Sequence, residues 1–271
     1  MFTAVRDFRD LFRVNKTYFK RTVAMSRVML EKRYSGAALG FGWAIVKPTL
    51  FIFVFWFAVA LGIRGSSTIG EIPFILWLIP GIIPWNHISD SITQGGSSIR
   101  QNNHLVTKMV YPVATIPVST VLSLFYVHVL MMSIVTAIFV LSGFGITVYF
   151  LQLPYYMAAC LVFTVVVATL LSALTAISRD FNHLIKATIN ALFWLSPVLW
   201  SGDNLDGLLR AVVMANPIAY VIQGYRNCFV NEVWFFDQWQ YGLYFWGFMV
   251  ALSLFTSFLY AKLQSEFADV L

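Results

Sequence analysis

The chain has 271 residues, of which 59% are hydrophobic, 17% aromatic and only 11% charged, with a mean hydropathy of +0.75; an ordinary soluble domain carries roughly 25% charged residues. Residues 109–178 run 70 positions without a single Asp, Glu, Lys or Arg, which excludes a water-soluble fold for that stretch and places it in a bilayer. The net charge of +6 is gathered outside the apolar stretches, so it reads as a topogenic, phospholipid-facing signal and gives no argument for nucleic acid.

The first 34 residues are polar and basic but periodic. Phe8, Phe12, Phe19 and Val23 mark an apolar stripe, while Arg9, Arg13, Lys16, Lys20 and Arg27 mark a basic one on the same helix. Such a segment lies in the membrane interface with its cations toward anionic headgroups. A passive anchor and a moving helix both fit the periodicity. No cleavable signal peptide is expected, because more than 40 residues precede the first apolar run and further runs follow it.

Charge-free windows then occur at 48–63, 72–89, within 109–178, and at 187–202 and 238–261. A helical pass needs about 20 apolar residues, so the long window holds two passes joined at Ser142-Gly143-Phe144-Gly145. The expected fold is an all-α integral membrane protein of six transmembrane helices, at 44–63, 72–94, 116–141, 153–178, 184–201 and 238–261. A further apolar run at 211–225 is short and broken by Asn216-Pro217. It reads as part of a re-entrant region over 203–230, where irregular backbone must lie against protein or water. The chain forms one membrane domain, with no internal repeat and no soluble domain.

Ten of the 18 Lys and Arg residues precede the first pass, and Arg100, Lys108, Arg179, Lys186 and Lys262 fall on the same side of a six-pass chain. Only Arg64, Arg210 and Arg226 fall on the other. By the positive-inside rule both termini are cytoplasmic, in a multi-pass plasma-membrane protein. On the cytoplasmic side, 99–110 reads as a short helix capped by Ser97-Ser98 and stopped by Tyr111-Pro112. It carries Arg100, His104 and Lys108.

Catalytic chemistry is missing. No GxxxxGK[ST] loop occurs, so ATP energy must come from another chain. No G-x-S-x-G elbow is present. Among the four histidines His183 has an acid nearby, Asp180, and two residues fall short of a metal site, which wants about three protein ligands. Asp90 and His128 are the titratable residues nearest a pass interior, and they leave little for proton coupling. Two cysteines, Cys160 and Cys228, read as packing residues. What the passes do hold is aromatic surface, notably Phe51, Phe55 and Trp56 in the first and Phe193, Trp194 and Trp200 in the fifth. Many such rings face lipid or neighbours; the rest offer sugars a flat surface without tight binding.

Taken in order, the basic amphipathic start, Trp43 through Lys47-Pro48, the loop 103–117, Arg179-Asp180, Ser196-Pro197-Val198, Asn216-Pro217 and Gly224-Tyr225-Arg226 resemble the permease subunits of ABC exporters for cell-surface polysaccharides and teichoic acids. The likeness covers essentially the whole chain. Gly62-Ile63-Arg64-Gly65 and Lys108-Met109-Val110-Tyr111-Pro112 look most like wall teichoic acid translocation permeases. The resemblance implies a homodimer, two copies of a cytoplasmic ABC ATPase that binds ATP and Mg, an undecaprenyl-linked polymer as cargo, and no cofactor or metal in this chain. It implies a coupling role for Arg100, His104, Lys108, Arg179 and Asp180, and a gate helix carrying Arg9, Arg13, Lys16 and Lys20. It also implies a channel lined by Phe51, Phe55, Trp56, Phe193, Trp194 and Trp200, and an outer mouth at Asn216, Tyr225 and Arg226. O-antigen or capsular polysaccharide exporters, and ABC exporters of lipid, drug or haem, share this architecture and stay open.

Overall fold

In the computed structural model, which describes residues 2–58, 68–69, 72–103, 105, 112–201 and 205–267, the N-terminal stretch forms two helices, α1 (Phe2–Thr17) and α2 (Phe19–Tyr34). Tyr18 departs from helical geometry at φ −96°, ψ 13°, yet its N–H still donates to Val14 and Thr22 donates back to it, so the result is a kinked rod. The stripes sort onto different surroundings. Phe8, Phe12 and Phe19 point away from the protein, as do the basic residues. Leu11 and Val14 pack inward on Ile99, Tyr260 and Phe267. A face of small polar residues on α2 lies along α6 (Thr115–Leu141): Ser26 shares a hydrogen bond with Tyr126 (3.0 Å), Thr120 donates to Met29 Sδ (3.6 Å) and Arg33 to Ser123 (3.3 Å).

The other elements are α3 (Trp43–Phe57), α4 (Phe74–Asp90), α5 (Ser98–Gln101), α7 (Leu153–Ile177), α8 (Asp180–Leu195), α9 (Gly207–Met214), α10 (Pro217–Arg226) and α11 (Trp239–Leu263). Among the described residues four helical stretches are long and apolar enough to cross a membrane: Gly40–Phe57, Thr115–Leu141, Val148–Ile177 and Trp239–Glu266. Two pairs of residues, Thr68–Ile69 and Ile72–Pro73, form a minimal antiparallel hairpin, a departure from an all-α chain. The turn between α6 and α7 bends at Gly143 and Gly145, with φ of +84° and +74°, which only glycine adopts without strain.

At the centre stands α4. Its stretch Phe74–Trp85 is apolar on every face, so burying it is the stable solution, and the helix is enclosed by α3, α6 and α10. Pro80 and Pro84 within it each remove a backbone donor, which is tolerated where neighbouring helices enclose the freed carbonyls. The rod continues through a π-helical turn, Ser91–Gly95, almost directly into α5. That continuity explains why the expected Ser97-Ser98 cap is not made: there is no free helix start. Ser97 Oγ donates back to Thr93 O (2.9 Å). Hydroxyls on α6 and α7 are likewise satisfied within their own helix, Ser119 on Thr115 O (2.9 Å) and Thr164 on Cys160 O (2.9 Å).

Candidate functional site

Between the end of α2 and helices α3, α4, α6 and α8 lies a cleft of about 920 Å³. Its wall on α3 runs from Trp43 to Phe55, about 18 Å at the helical rise of 1.5 Å per residue. The two ends differ in chemistry. Arg33, Lys47, Asp90 and Gln94 form one lip; Phe51, Phe55, Trp85, Phe193 and Trp194 line the interior, with Asn86 and Asn190 as amides among the rings. The Phe193 ring meets Phe55 at 5.1 Å, Trp85 at 5.3 Å and Phe51 at 6.2 Å between centroids, so three helices share one aromatic cluster. Burial holds the Arg33 pKa below its ordinary value, with Tyr34 and Asp90 opposing, and the guanidinium stays charged.

Four of the six aromatics expected to line a channel therefore face the cleft: Phe51, Phe55, Phe193 and Trp194. Trp56 packs on the apolar core instead. Trp200 turns its indole N–H to the Trp194 carbonyl (3.2 Å). Sequence reasoning missed Trp85, Asn86 and Asn190 as lining residues. The signal for the two asparagines was visible, since an amide inside an apolar window must find a polar surrounding. It also missed His87, which joins His128 in the cleft wall at 4.9 Å between ring centroids.

Behind α4 a second polar cluster is sealed from solvent. Arg226 is 1% exposed and donates through Nη1 to Pro197 O (2.6 Å) and through Nη2 to Val198 O. Its guanidinium lies over the Trp77 ring, 3.5 Å from the centroid. It fits because α4 has no side chain at Gly81: a Cβ there would sit 2.6 Å from Nη2. Tyr225 is fully buried and shares a 2.7 Å hydrogen bond with His128 Nε2. Gly224 lets the Tyr156 ring approach. Asn216 caps α10 by accepting from Ile218 N (3.0 Å) and donates to Ser196 Oγ (2.9 Å). The placement of Tyr225 and Arg226 thus differs from an open outer mouth. Pro197 breaks the chain after α8, its carbonyl and that of Val198 need donors where water is excluded, and Arg226 provides them.

Of the residues expected to couple to an ATPase, Arg100 is half-buried and donates to Thr175 O (3.2 Å) at the end of α7, so it caps that helix. Arg179 and Asp180 are exposed at the α7–α8 corner. His104, Lys108, Gly62-Ile63-Arg64-Gly65 and the 109–111 segment lie outside the described residues. Arg9, Arg13, Lys16 and Lys20 are all exposed along α1 and the start of α2.

An apolar helical chain with an internal cleft, no nucleotide loop and helix ends displayed at one side is built as a transport subunit. The chain belongs to the ABC-2 type transporter family, whose profile matches residues 21–230. It is similar to two O-antigen export system permease proteins RfbA of Klebsiella pneumoniae, at 26% and 28% identity, each match covering 93% of this chain and 95% of the relative. A permease of the same name from Myxococcus xanthus is 27% identical over 81% of this chain and 84% of its own length. This chain is accordingly a membrane permease, a transport subunit rather than an enzyme, of a family that normally pairs its permeases with an ATPase subunit.

Proposed function

We propose that this chain is the membrane-spanning subunit of an ATP-driven exporter that moves a lipid-linked surface polysaccharide of the O-antigen type to the outer face of the plasma membrane. The observation that carries this reading is the near end-to-end match to permeases named for O-antigen export. It favours the polysaccharide alternative over wall teichoic acid, which rested on short segments at 62–65 and 108–112. The aromatic cleft agrees, because rings and amides without fixed charge let a polar chain slide instead of trapping it.

In this reading α4 and α8, of 17 and 16 residues, complete six passes with both termini cytoplasmic, and two permeases join two ATPases that hold ATP and Mg. Arg179, Asp180, His104 and Lys108 face the ATPase, with Arg100 tying α5 to α7. The re-entrant region is α9 and α10, and the basic face of α1 and α2 meets the anionic cargo or headgroups at the cytoplasmic entrance. ATP-driven closure biases the spans between two arrangements that bind cargo differently. Deleting the gene should leave glycan on its lipid carrier inside the cell while synthesis continues. If surface glycan persists and a small lipid or drug accumulates, the cargo is of another class; accumulation of a polyol-phosphate polymer restores the teichoic acid reading.

A further inference from the structure

The lip of the cleft carries unbalanced charge. Arg33 reaches it from the end of α2 half-buried, its hydrogen bond going to the neutral hydroxyl of Ser123 (3.3 Å). Lys47 comes from the first turns of α3 and Asp90 from the end of α4, where Gln94 Nε2 donates to its Oδ1 (3.2 Å). Among the described residues neither cation is within ion-pair distance of Asp90, though its charge acts on both, so two positive groups share the opening with one negative group and a net positive charge remains. A guanidinium drawn partly out of water, with its carboxylate beyond ion-pair distance, bears a desolvation cost that Asp90 offsets only in part. Nothing in the apolar core behind it offsets that cost. The cleft leaves room for a ligand that can.

A phosphate suits this pair of cations. A guanidinium fork can meet two phosphate oxygens at once, and an ammonium on the same lip adds a point charge. Just inside the lip, Phe51, Trp85 and Phe193 offer ring faces at the depth where a sugar attached to that phosphate would lie. We propose that Arg33 and Lys47 form a phosphate-binding site at the lip of the cleft, which takes the phosphate of a lipid-borne glycan carrier, with Asp90 setting the affinity by repulsion. The identity of the carrier rests on the export reading above; the phosphate chemistry does not.

The test uses the full-length permease in phosphatidylcholine nanodiscs without its ATPase, read by tryptophan fluorescence, since Trp43, Trp85 and Trp194 all line the cleft. Polyisoprenyl phosphate, phosphatidylglycerol and inorganic pyrophosphate are titrated separately. Polyisoprenyl phosphate should give a saturable change, and Arg33→Gln with Lys47→Gln should weaken it about tenfold or more, the loss of roughly one charge-assisted contact. Asp90→Asn should tighten it, a gain that no general damage to the fold produces. Lys262→Gln, at the far helix end, serves as the control and should bind as the parent does. Lys47 is exposed, so Lys47→Gln alone keeps the fold and should still show part of the loss. Equal binding of phosphatidylglycerol supports the site with bulk phospholipid as its occupant, whereas preference for the isoprenyl phosphate assigns it to the carrier. Unchanged binding in the double variant, weaker binding in Asp90→Asn, or no saturable response to any of the three phosphates overturns the proposal. Because no export is measured, a cargo of another class would leave this result standing.

Discussion

Arg226 shows how one residue can hold a membrane protein's broken helices together. Two carbonyls freed at Pro197 and Val198 have their donors in its guanidinium, and the notch at Gly81 exists to admit it. Arg226→Leu strips both carbonyls, at about 1–3 kcal/mol for each group left unsatisfied. Arg226→Lys should recover little, since an ammonium cannot fork to two acceptors while lying flat on Trp77. Gly81→Ala should destabilise the parent through the same contact, and much less once Arg226 is already Leu. Thermal midpoints of the four chains in detergent form a double-mutant cycle; additive losses would show that Gly81 and Arg226 are not coupled.

At the scale of elements, α4, the π-turn and α5 make one rod that runs on from the cleft wall. It crosses α7 closely at Gly95 and Gly96. A Cβ on Gly95 would stand 2.7 Å from the Ala168 Cβ, and Thr175 Oγ1 donates to the Gly96 carbonyl. Gly95→Val must force α4 away from α7, an overpacking cost of about 1–3 kcal/mol. We expect such a variant to assemble with its ATPase yet lose the link between hydrolysis and export, measured as ATP turnover per glycan delivered; normal coupling would show that the crossing transmits nothing. Replacing Arg100, His104 and Lys108 together should weaken ATPase binding, read by co-purification. Because Arg100 caps α7, Arg100→Ala alone should also lower the thermal midpoint, whereas Arg179→Ala, an exposed residue, should not.

For the whole molecule, orientation is the property most open to test. Single cysteines placed by Ser66→Cys and Ser201→Cys should react with impermeant thiol reagents from outside, and Gln101→Cys and Asn182→Cys only after permeabilisation. The reverse labelling would sink the six-pass arrangement with cytoplasmic termini. A second whole-molecule expectation concerns energy: the purified permease in lipid should turn over no ATP until the ATPase subunit is added. Hydrolysis by the isolated chain, free of contaminants, would contradict the absence of a nucleotide loop.

The membrane class, the basic amphipathic start and the break at Asn216-Pro217 were all determined by the sequence itself, because each rests on local physics. Charge cannot be left in hydrocarbon, Pro217 begins a helix that Asn216 caps, and glycines at 143 and 145 turn the chain wherever they stand. Four of six lining aromatics were legible for the same reason, as rings within apolar windows. The tertiary structure alone decided which face of each helix meets which neighbour. A stretch apolar all round, such as Phe74–Trp85 of α4, carries no periodic signal of its partners, so neither the Arg226 notch at Gly81 nor the seam between α2 and α6 could be read in advance. The stripe of Phe8, Phe12 and Phe19 was legible as a stripe, yet in a bilayer apolar surface is as stable against lipid as against protein. Only packing could show that Leu11 and Val14 turn inward while the phenylalanines face away. The lip of Arg33, Lys47 and Asp90 joins three helices distant in the chain, and only the fold brings their charges together.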